Sequence, residues 1–107
     1  MTNQSIDANA PDAEEIFPVE DGFSLRVRVL NDQGLHARPA AKLAQEAQKF
    51  DCDIHLVHHG ESVDAKSILD ILTLAVGHGS ELELRAQGPG AKEALTRLGG
   101  LIRNRCR

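Results

Sequence analysis

Two kinds of hydrophobic periodicity alternate along this chain, and their order constrains its fold more than any other feature. In four segments apolar and polar side chains alternate, which is typical of a strand with one buried face. In three segments the apolar residues recur at helical spacing. The strand pattern occupies residues 23–29, 52–57, 62–64 and 81–85, and the helix pattern occupies residues 37–49, 67–76 and 91 onwards. The order β-α-β-β-α-β-α predicts an α+β fold, with helices on one face of a mainly antiparallel sheet.

The apolar residues predict an aliphatic core. Hydrophobic residues make up 41% of the 107, yet the chain has no Trp, no Tyr and only three Phe. We expect the first two helices to bury these faces: Ala40, Leu43, Ala44 and Ala47 in the first, and Ile68, Leu69, Leu72, Ala75 and Val76 in the second.

Residues 1–22 differ from the rest of the chain in charge and pattern. They carry six acids and no Lys or Arg, which leaves ten acids against 12 bases in the remainder. Because this segment lacks periodicity and apolar content, we predict a disordered N-terminal extension over residues 1–22 and a folded domain over residues 23–107. Within the extension only Ile16, Phe17 and Val19 could dock. The net charge of −4 argues against a general nucleic-acid binder.

Cysteine and histidine usage predicts no metal or disulfide framework. Cys52 and Cys106 fit no zinc spacing, and we expect reduced thiols in a cytoplasmic protein without a secretory signal or a membrane span. His55, His58 and His59 crowd one hairpin beside Glu61, but strand alternation turns His58 away from the other two. We interpret them as exposed polar residues, with metal binding as the alternative. We also expect an exposed His78 in the turn between two glycines.

The segment 34–39 combines a glycine turn, a histidine at a helix start and an arginine two residues later. Helix N-termini present free N–H groups and the positive end of a dipole to anions. Arg38 adds a fork of donors suited to phosphate oxygens, and the neutral imidazole of His36 is a nucleophile near neutral pH. These parts could form and hold a phosphohistidine. Alternatively, His36 only caps the helix.

Three motifs carry a resemblance to a known family. GLHARPAA at residues 34–41 resembles the active-site signature of HPr, the histidine-containing phosphocarrier of the phosphoenolpyruvate-dependent sugar phosphotransferase system. Residues 65–72 are similar to the second-helix motif of the family, and residues 77–82 resemble the turn and strand that follow it. The resemblance covers residues 23–105. It implies an open-faced sandwich, in which three helices pack on one face of a four-stranded antiparallel sheet.

The resemblance also implies a function. His36 would be phosphorylated on its δ nitrogen by enzyme I and would pass the group to an enzyme IIA domain. Arg38 would stabilise the phosphoryl group, together with the backbone N–H groups of Ala37 and Arg38. Such a protein is a monomeric carrier without a cofactor, a nucleic-acid partner or membrane insertion, and it is not a self-contained catalyst.

Ser67 has two interpretations. At the start of the second helix its hydroxyl can accept a hydrogen bond from a backbone N–H near Asp70, as an ordinary N-cap. In many HPr proteins, however, the matching serine is phosphorylated by an ATP-dependent HPr kinase/phosphorylase. A phosphate at a helix N-terminus is electrostatically tolerable, so regulation at Ser67 is compatible with the fold.

The predicted partner face combines the starts of the first two helices, at Ala37, Arg38, Ala41, Leu69, Leu72 and Thr73. Of these, burial favours Leu72 for the core. Asp70 departs from the family, where the matching position is more often small or basic. This difference leaves the identity of the partner open.

Other functions fit fewer residues. A nitrogen-related or mainly regulatory branch of the family has a carrier with the same histidine motif, so the sequence does not separate it from sugar transport. Serine-phosphorylated adaptors that bind a transcription factor resemble HPr but lack the active histidine, which is present here. A small metal- or ligand-binding domain is supported only by the histidine cluster. A self-contained enzyme would need paired carboxylates, a phosphate loop or a catalytic triad, and none accompanies His36.

Overall fold

The computed structural model describes residues 15–104, which form five strands and three helices. In chain order they are β1 (Phe17–Val19), β2 (Gly22–Arg28), α1 (Ala37–Ala47), β3 (Asp53–His58), β4 (Glu61–Asp64), α2 (Ile68–Thr73), β5 (Glu81–Gln87) and α3 (Ala91–Arg103). The longest helix, α3, has 13 residues. Of the helices in residues 15–104, none combines the length and the apolar character that a membrane span requires.

All neighbouring strands in the single sheet are antiparallel, in the order β1-β2-β5-β3-β4. Leu84 of β5 lies at the centre, paired with Leu25 of β2 on one side and Leu56 of β3 on the other. These three leucines are buried, while the residues that alternate with them are mostly exposed or half-buried. The α+β open-faced sandwich predicted from the sequence is therefore confirmed, with an aliphatic core between the sheet and the helices.

A fifth strand, β1, comes from the segment predicted to be disordered. Phe17 pairs with Ser24 of β2, and Ile16 is only 6% exposed in the core. The Glu15 carboxylate accepts two hydrogen bonds from the Arg103 guanidinium, with N···O distances of 3.0 and 3.1 Å. The prediction of disorder is thus wrong for residues 15–22, because burial of Ile16 and the pairing of β1 with β2, which begins at Gly22, offset the ordering entropy. Residues 1–14 and Cys106 lie outside the described residues.

The first helix buries the face that its spacing predicts, but α2 does not. Leu69 is 75% exposed and Leu72 is 36% exposed, whereas Ile71, Leu74 and Val76 are buried. The predicted core face is therefore wrong for every member except Val76: exposed instead are Ile68, Leu69, Leu72 and Ala75. The helix is also shorter than the predicted 67–76, because Ala75 adopts φ +51° and so ends it.

Candidate functional site

Two loops meet at one end of the sheet: the loop that joins β2 to α1 and the loop that joins α2 to β5. The N–H of Leu35 donates to the carbonyl of Val76 at 2.9 Å, and the N–H of Gly79 donates to the carbonyl of Val29 at 2.8 Å. Gly34 permits this approach, because it has φ +68° and any Cβ there would collide with the Val76 carbonyl oxygen. The two loops are therefore fixed to each other immediately before α1 begins.

A third hydrogen bond, from the last residue of β2 to the loop between α2 and β5, is not predicted from the sequence. The Arg28 guanidinium, at the end of β2, donates to the carbonyl of Gly79 at 2.7 Å. In the sequence Arg28 is only a polar residue of an alternating strand, and Gly79 is only a turn glycine. Their long separation along the chain leaves no local signal for this bond. The two residues support the backbone beside the candidate site.

His36 is the N-cap residue of α1, and its backbone does the capping. It has the extended conformation (φ −79°, ψ −168°), and its carbonyl accepts from the N–H of Ala40 at 3.0 Å. The imidazole makes no capping hydrogen bond and is exposed. The alternative in which the ring of His36 serves only as a helix cap therefore finds no support, and the side chain is available for chemistry.

The start of α1 presents a small set of donors next to that imidazole. The first intrahelical hydrogen bond is donated by the N–H of Ala40, and Pro39 has no N–H. The N–H groups of Ala37 and Arg38 come before that bond and have no acceptor within the helix. The first turn contains no acid. Arg38 is exposed, and within residues 15–104 it forms no ion pair. An anion could thus be held by two amides and one guanidinium beside His36.

Ser67 is the N-cap residue of α2, as its first interpretation predicts. Its Oγ accepts from the N–H of Asp70 at 3.2 Å, and its side chain is half-buried. The Gln48 amide, at the end of α1, donates to the carbonyl of Lys66 at 2.8 Å. Ser67 therefore lies near the C-terminal end of α1. The predicted partner face combines the starts of α1 and α2. That arrangement is wrong, because α1 and α2 run in opposite directions and their starts lie apart.

The residues predicted for the partner face are accessible. Ala37, Arg38, Leu69, Leu72 and Thr73 are exposed, and Ala41 is half-buried. Leu72 and Thr73 lie at the C-terminal end of α2, which is the end closer to His36. This follows because Val76, three residues after α2, binds Leu35, which directly precedes His36. The six residues thus follow the outer surfaces of α1 and α2.

Comparison with known proteins identifies the family of this chain. The family model for the "PTS HPr component phosphorylation site" matches residues 23–104. The chain belongs to the HPr family. Like the family, it is a phosphocarrier of the phosphotransferase system and not a catalyst in its own right.

Two curated relatives and one solved structure show the extent of the similarity. The phosphocarrier protein HPr of Treponema pallidum (strain Nichols) is 48% identical over 79 residues, which cover 74% of this chain and 90% of the relative. The HPr-like protein Crh of Bacillus subtilis (strain 168) is 44% identical over 77 residues, covering 72% of this chain and 91% of Crh. The crystal structure of HPr from Bacillus anthracis matches with a TM-score of 0.71 and 43% identity, covering 74% of this chain and 94% of that one.

The other histidines of this HPr-family chain lie in the β3–β4 hairpin and in the loop that joins α2 to β5. His58 is buried, not exposed as predicted: its ring stacks on that of His59 at 4.0 Å, and its Nδ1 lies 3.4 Å from the Glu81 carbonyl. His78 is exposed in its turn. Across residues 15–104 no three His, Cys, Asp or Glu side chains converge as metal ligands. Burial raises the pKa of the Cys52 thiol, as expected for an apolar filler rather than a nucleophile.

Proposed function

We propose that His36 accepts the phosphoryl group from phospho-enzyme I and passes it to an enzyme IIA domain of a sugar phosphotransferase system. One observation carries this proposal: the exposed imidazole at the start of α1 has no capping role and stands beside unoccupied backbone donors. Such a carrier of a phosphoenolpyruvate-driven chain works in the cytoplasm. It needs neither a metal nor a cofactor of its own.

In the transfer step the lone pair of the His36 δ nitrogen attacks phosphorus. The bond between phosphorus and enzyme I breaks as the new P–N bond forms, and the electron pair of the broken bond returns to enzyme I. The proton on the ε nitrogen of His36 stays in place. In the second transfer the nucleophile of the IIA domain attacks the same phosphorus, and His36 leaves as a neutral imidazole.

The residues around His36 have electrostatic roles. The N–H groups of Ala37 and Arg38 point out of the helix start, where the dipole favours negative charge. The Arg38 guanidinium can donate to the phosphoryl oxygens. Because these groups are at the surface, they stabilise the phosphoryl group only moderately, and onward transfer stays possible.

We further propose that partners contact the face formed by Ala37, Ala41, Leu69, Leu72 and Thr73. Enzyme I and IIA domains would bind there in turn, since each must approach His36. A monomer is sufficient for this role. The alternative, a nitrogen-related or mainly regulatory branch, uses the same histidine chemistry with other partners.

The proposal is tested by incubating the full chain with enzyme I and phosphoenolpyruvate and measuring intact mass. We expect one acid-labile phosphoryl group on the wild type and none on His36→Ala. His59→Ala, which removes an exposed histidine of the β3–β4 hairpin, is the matched control and should be labelled normally. An unlabelled wild type, with an enzyme I that phosphorylates another HPr, would contradict the proposal.

Regulatory phosphorylation at Ser67 is a separate proposal. Supporting it, Ser67 Oγ lies at a helix N-terminus and its side chain is accessible to solvent in part. With ATP and HPr kinase/phosphorylase from the same organism, we expect an acid-stable phosphate on the wild type that Ser67→Ala lacks. Ser62→Ala, in exposed β4, is the control. An acid-stable phosphate that persists in Ser67→Ala would place the modification elsewhere.

A further inference from the structure

The loop that joins α2 to β5 is closely packed at one end and loosely packed at the other. At Val76 it lies against Gly34, where an added Cβ would collide with the Val76 carbonyl oxygen. At Gly77 and Gly79, by contrast, an added Cβ would meet no atom within 4 Å, and His78 between them is exposed. Close packing therefore fixes the Val76 end of the loop, whereas the end with the two glycines depends on hydrogen bonds.

Three hydrogen bonds from Arg28 and Val29 hold the end with the two glycines. The backbone of Val29 supplies two of them: its carbonyl accepts from the Gly79 N–H at 2.8 Å, and its N–H donates to the Ser80 carbonyl at 2.9 Å. The Arg28 guanidinium supplies the third, from Nη1 to the Gly79 carbonyl at 2.7 Å. A short bond from a charged donor is stronger than a neutral one. Replacement of Arg28 therefore loosens the loop while the backbone bonds stay in place.

The guanidinium of Arg28 binds this carbonyl in preference to a nearby carboxylate. Glu81 is the cross-strand neighbour of Arg28 in the register of β2 and β5, and opposite charges at such positions attract each other. Within residues 15–104, however, Arg28 forms no ion pair with Glu81 or with any other acid. Because Arg28 is the last residue of β2, its side chain reaches the loop instead. The charge at this position is thus used to hold backbone.

Arg28 is connected to His36 through a short run of backbone. The carbonyl of Val76, which precedes Gly79 in the same loop, accepts from the N–H of Leu35 at 2.9 Å. Leu35 directly precedes His36, which is extended and whose carbonyl accepts the first hydrogen bond of α1. The backbone angles of a residue decide which rotamers its side chain can adopt. A shift of the loop at Gly79 therefore reaches the imidazole through the backbone that carries it.

We infer that Arg28 is a positioning residue for phosphoryl transfer, which acts on His36 through the Gly79 carbonyl and the loop between α2 and β5. The inference rests on the proposed function and adds to it a residue outside the group that holds the phosphoryl oxygens. Arg28 affects the alignment of the attacking nitrogen, and a misplacement of about 1 Å can slow a reaction about 100-fold. The effect here is smaller, because the backbone bonds of the loop remain.

Steady-state phosphorylation of the full chain by enzyme I with saturating phosphoenolpyruvate tests this inference. We expect Arg28→Met to lower kcat by about fivefold and to change KM by less than about twofold, because the partner face stays intact. Arg28→Lys keeps a charged donor and should recover most of the wild-type kcat. Arg26→Met is the matched control and should keep the wild-type kcat. It removes an equal charge from the same exposed face of β2, and within residues 15–104 Arg26 makes no hydrogen bond to this loop.

Hydrogen exchange of the Leu35 N–H, followed by NMR on the unphosphorylated protein, reports the same effect without enzyme I. Exchange should be about threefold faster in Arg28→Met than in the wild type or in Arg26→Met, because the acceptor loop opens more often. If Arg28→Met does not fold, Arg28→Gln decides. Its side chain stays polar but ends well short of the Nη1 position, so it also lacks the bond to Gly79.

Wild-type kcat and wild-type Leu35 exchange in Arg28→Met, or in Arg28→Gln, would overturn the inference. An equal loss of kcat in Arg26→Met would also overturn it, since surface charge and not the hydrogen bond would then set the rate. A rise in KM alone would do the same, because Arg28 would then contact the partner. In each of these cases the wild type is still phosphorylated and the proposed function stands. A wild type that enzyme I does not phosphorylate overturns the proposed function, and the inference with it.

Discussion

The two helices on the proposed partner face begin in opposite ways. At the start of α2, Ser67 Oγ accepts a backbone N–H and Asp70 places an acid in the first turn. At the start of α1, His36 offers no side-chain cap and the first turn has no acid. One helix start is therefore closed by its own side chains, and the other is left open to an external anion. The unsatisfied helix start is thus the one that we propose to hold the phosphoryl group.

The helices also differ in what they bury. Helix α1 buries Leu43 and Ala40 completely, as its spacing predicts, whereas α2 directs Leu69 and Leu72 into solvent. The apolar residues of α1 thus stabilise the fold, whereas Leu69 and Leu72 of α2 are available to partners. Each difference can be tested by substitution.

Leu43→Ala should lower the free energy of unfolding by about 3 kcal/mol, because it removes a fully buried side chain and leaves a cavity. Leu69→Ala should change it by less than about 0.5 kcal/mol, since the side chain is mostly exposed. Urea denaturation of both variants measures the difference. If the two variants lowered the free energy of unfolding by similar amounts, Leu69 would pack against the fold and be unavailable to partners.

Arg38→Glu should slow phosphorylation of His36 by about 100-fold, because it adds an acid to the open helix start and removes a charged donor, together about 2.7 kcal/mol. The rate of transfer from phospho-enzyme I, followed by intact mass after rapid quenching, measures this effect. Arg38→Gln removes the charge and the guanidinium fork without adding an acid, and its transfer rate should lie between those of the wild type and Arg38→Glu. If Arg38→Glu transfers as fast as the wild type, the open start of α1 does not hold the phosphoryl group.

Ser67→Ala should destabilise the protein by about 1 kcal/mol through loss of the α2 cap. By contrast, His36→Ala should cost less than about 0.5 kcal/mol, since the imidazole makes no capping bond. Thermal unfolding compares the two directly. If His36→Ala destabilised the protein more than Ser67→Ala, the distinction between the closed start of α2 and the open start of α1 would be wrong.

The same two helices explain how far the sequence predicts the structure. Helix α1 is long enough for its period to select one face, so its buried residues and the position of His36 follow from the pattern. Helix α2 has six residues, and four of them, Ile68, Leu69, Ile71 and Leu72, are large and apolar. Such a pattern selects no face, and packing of the residues that follow the helix decides which side is buried.

Two other features depend on contacts between distant residues. Strand β1 has only three residues, includes Pro18 and shows no alternation, so it forms only because β2 offers a partner. Gly34 approaches Val76 across a long stretch of chain, and nothing in either local sequence signals this contact. The support beneath the candidate site, through β1 and the contact of Gly34 with Val76, is therefore a part that the sequence does not predict.

The ends of the two helices offer the smallest test of the comparison. Helix α1 ends at Gln48 with ordinary helical angles, whereas α2 is ended by Ala75 in the left-handed region at φ +51°. Ala75→Gly should relieve this conformation, but glycine also raises the entropy of the unfolded chain, so we expect a net stabilisation of only about 0.5 kcal/mol. Differential scanning calorimetry against Gly77→Ala, where a Cβ meets open space, measures it. A clear destabilisation by Ala75→Gly would show that the methyl group of Ala75 contributes packing that outweighs its backbone strain.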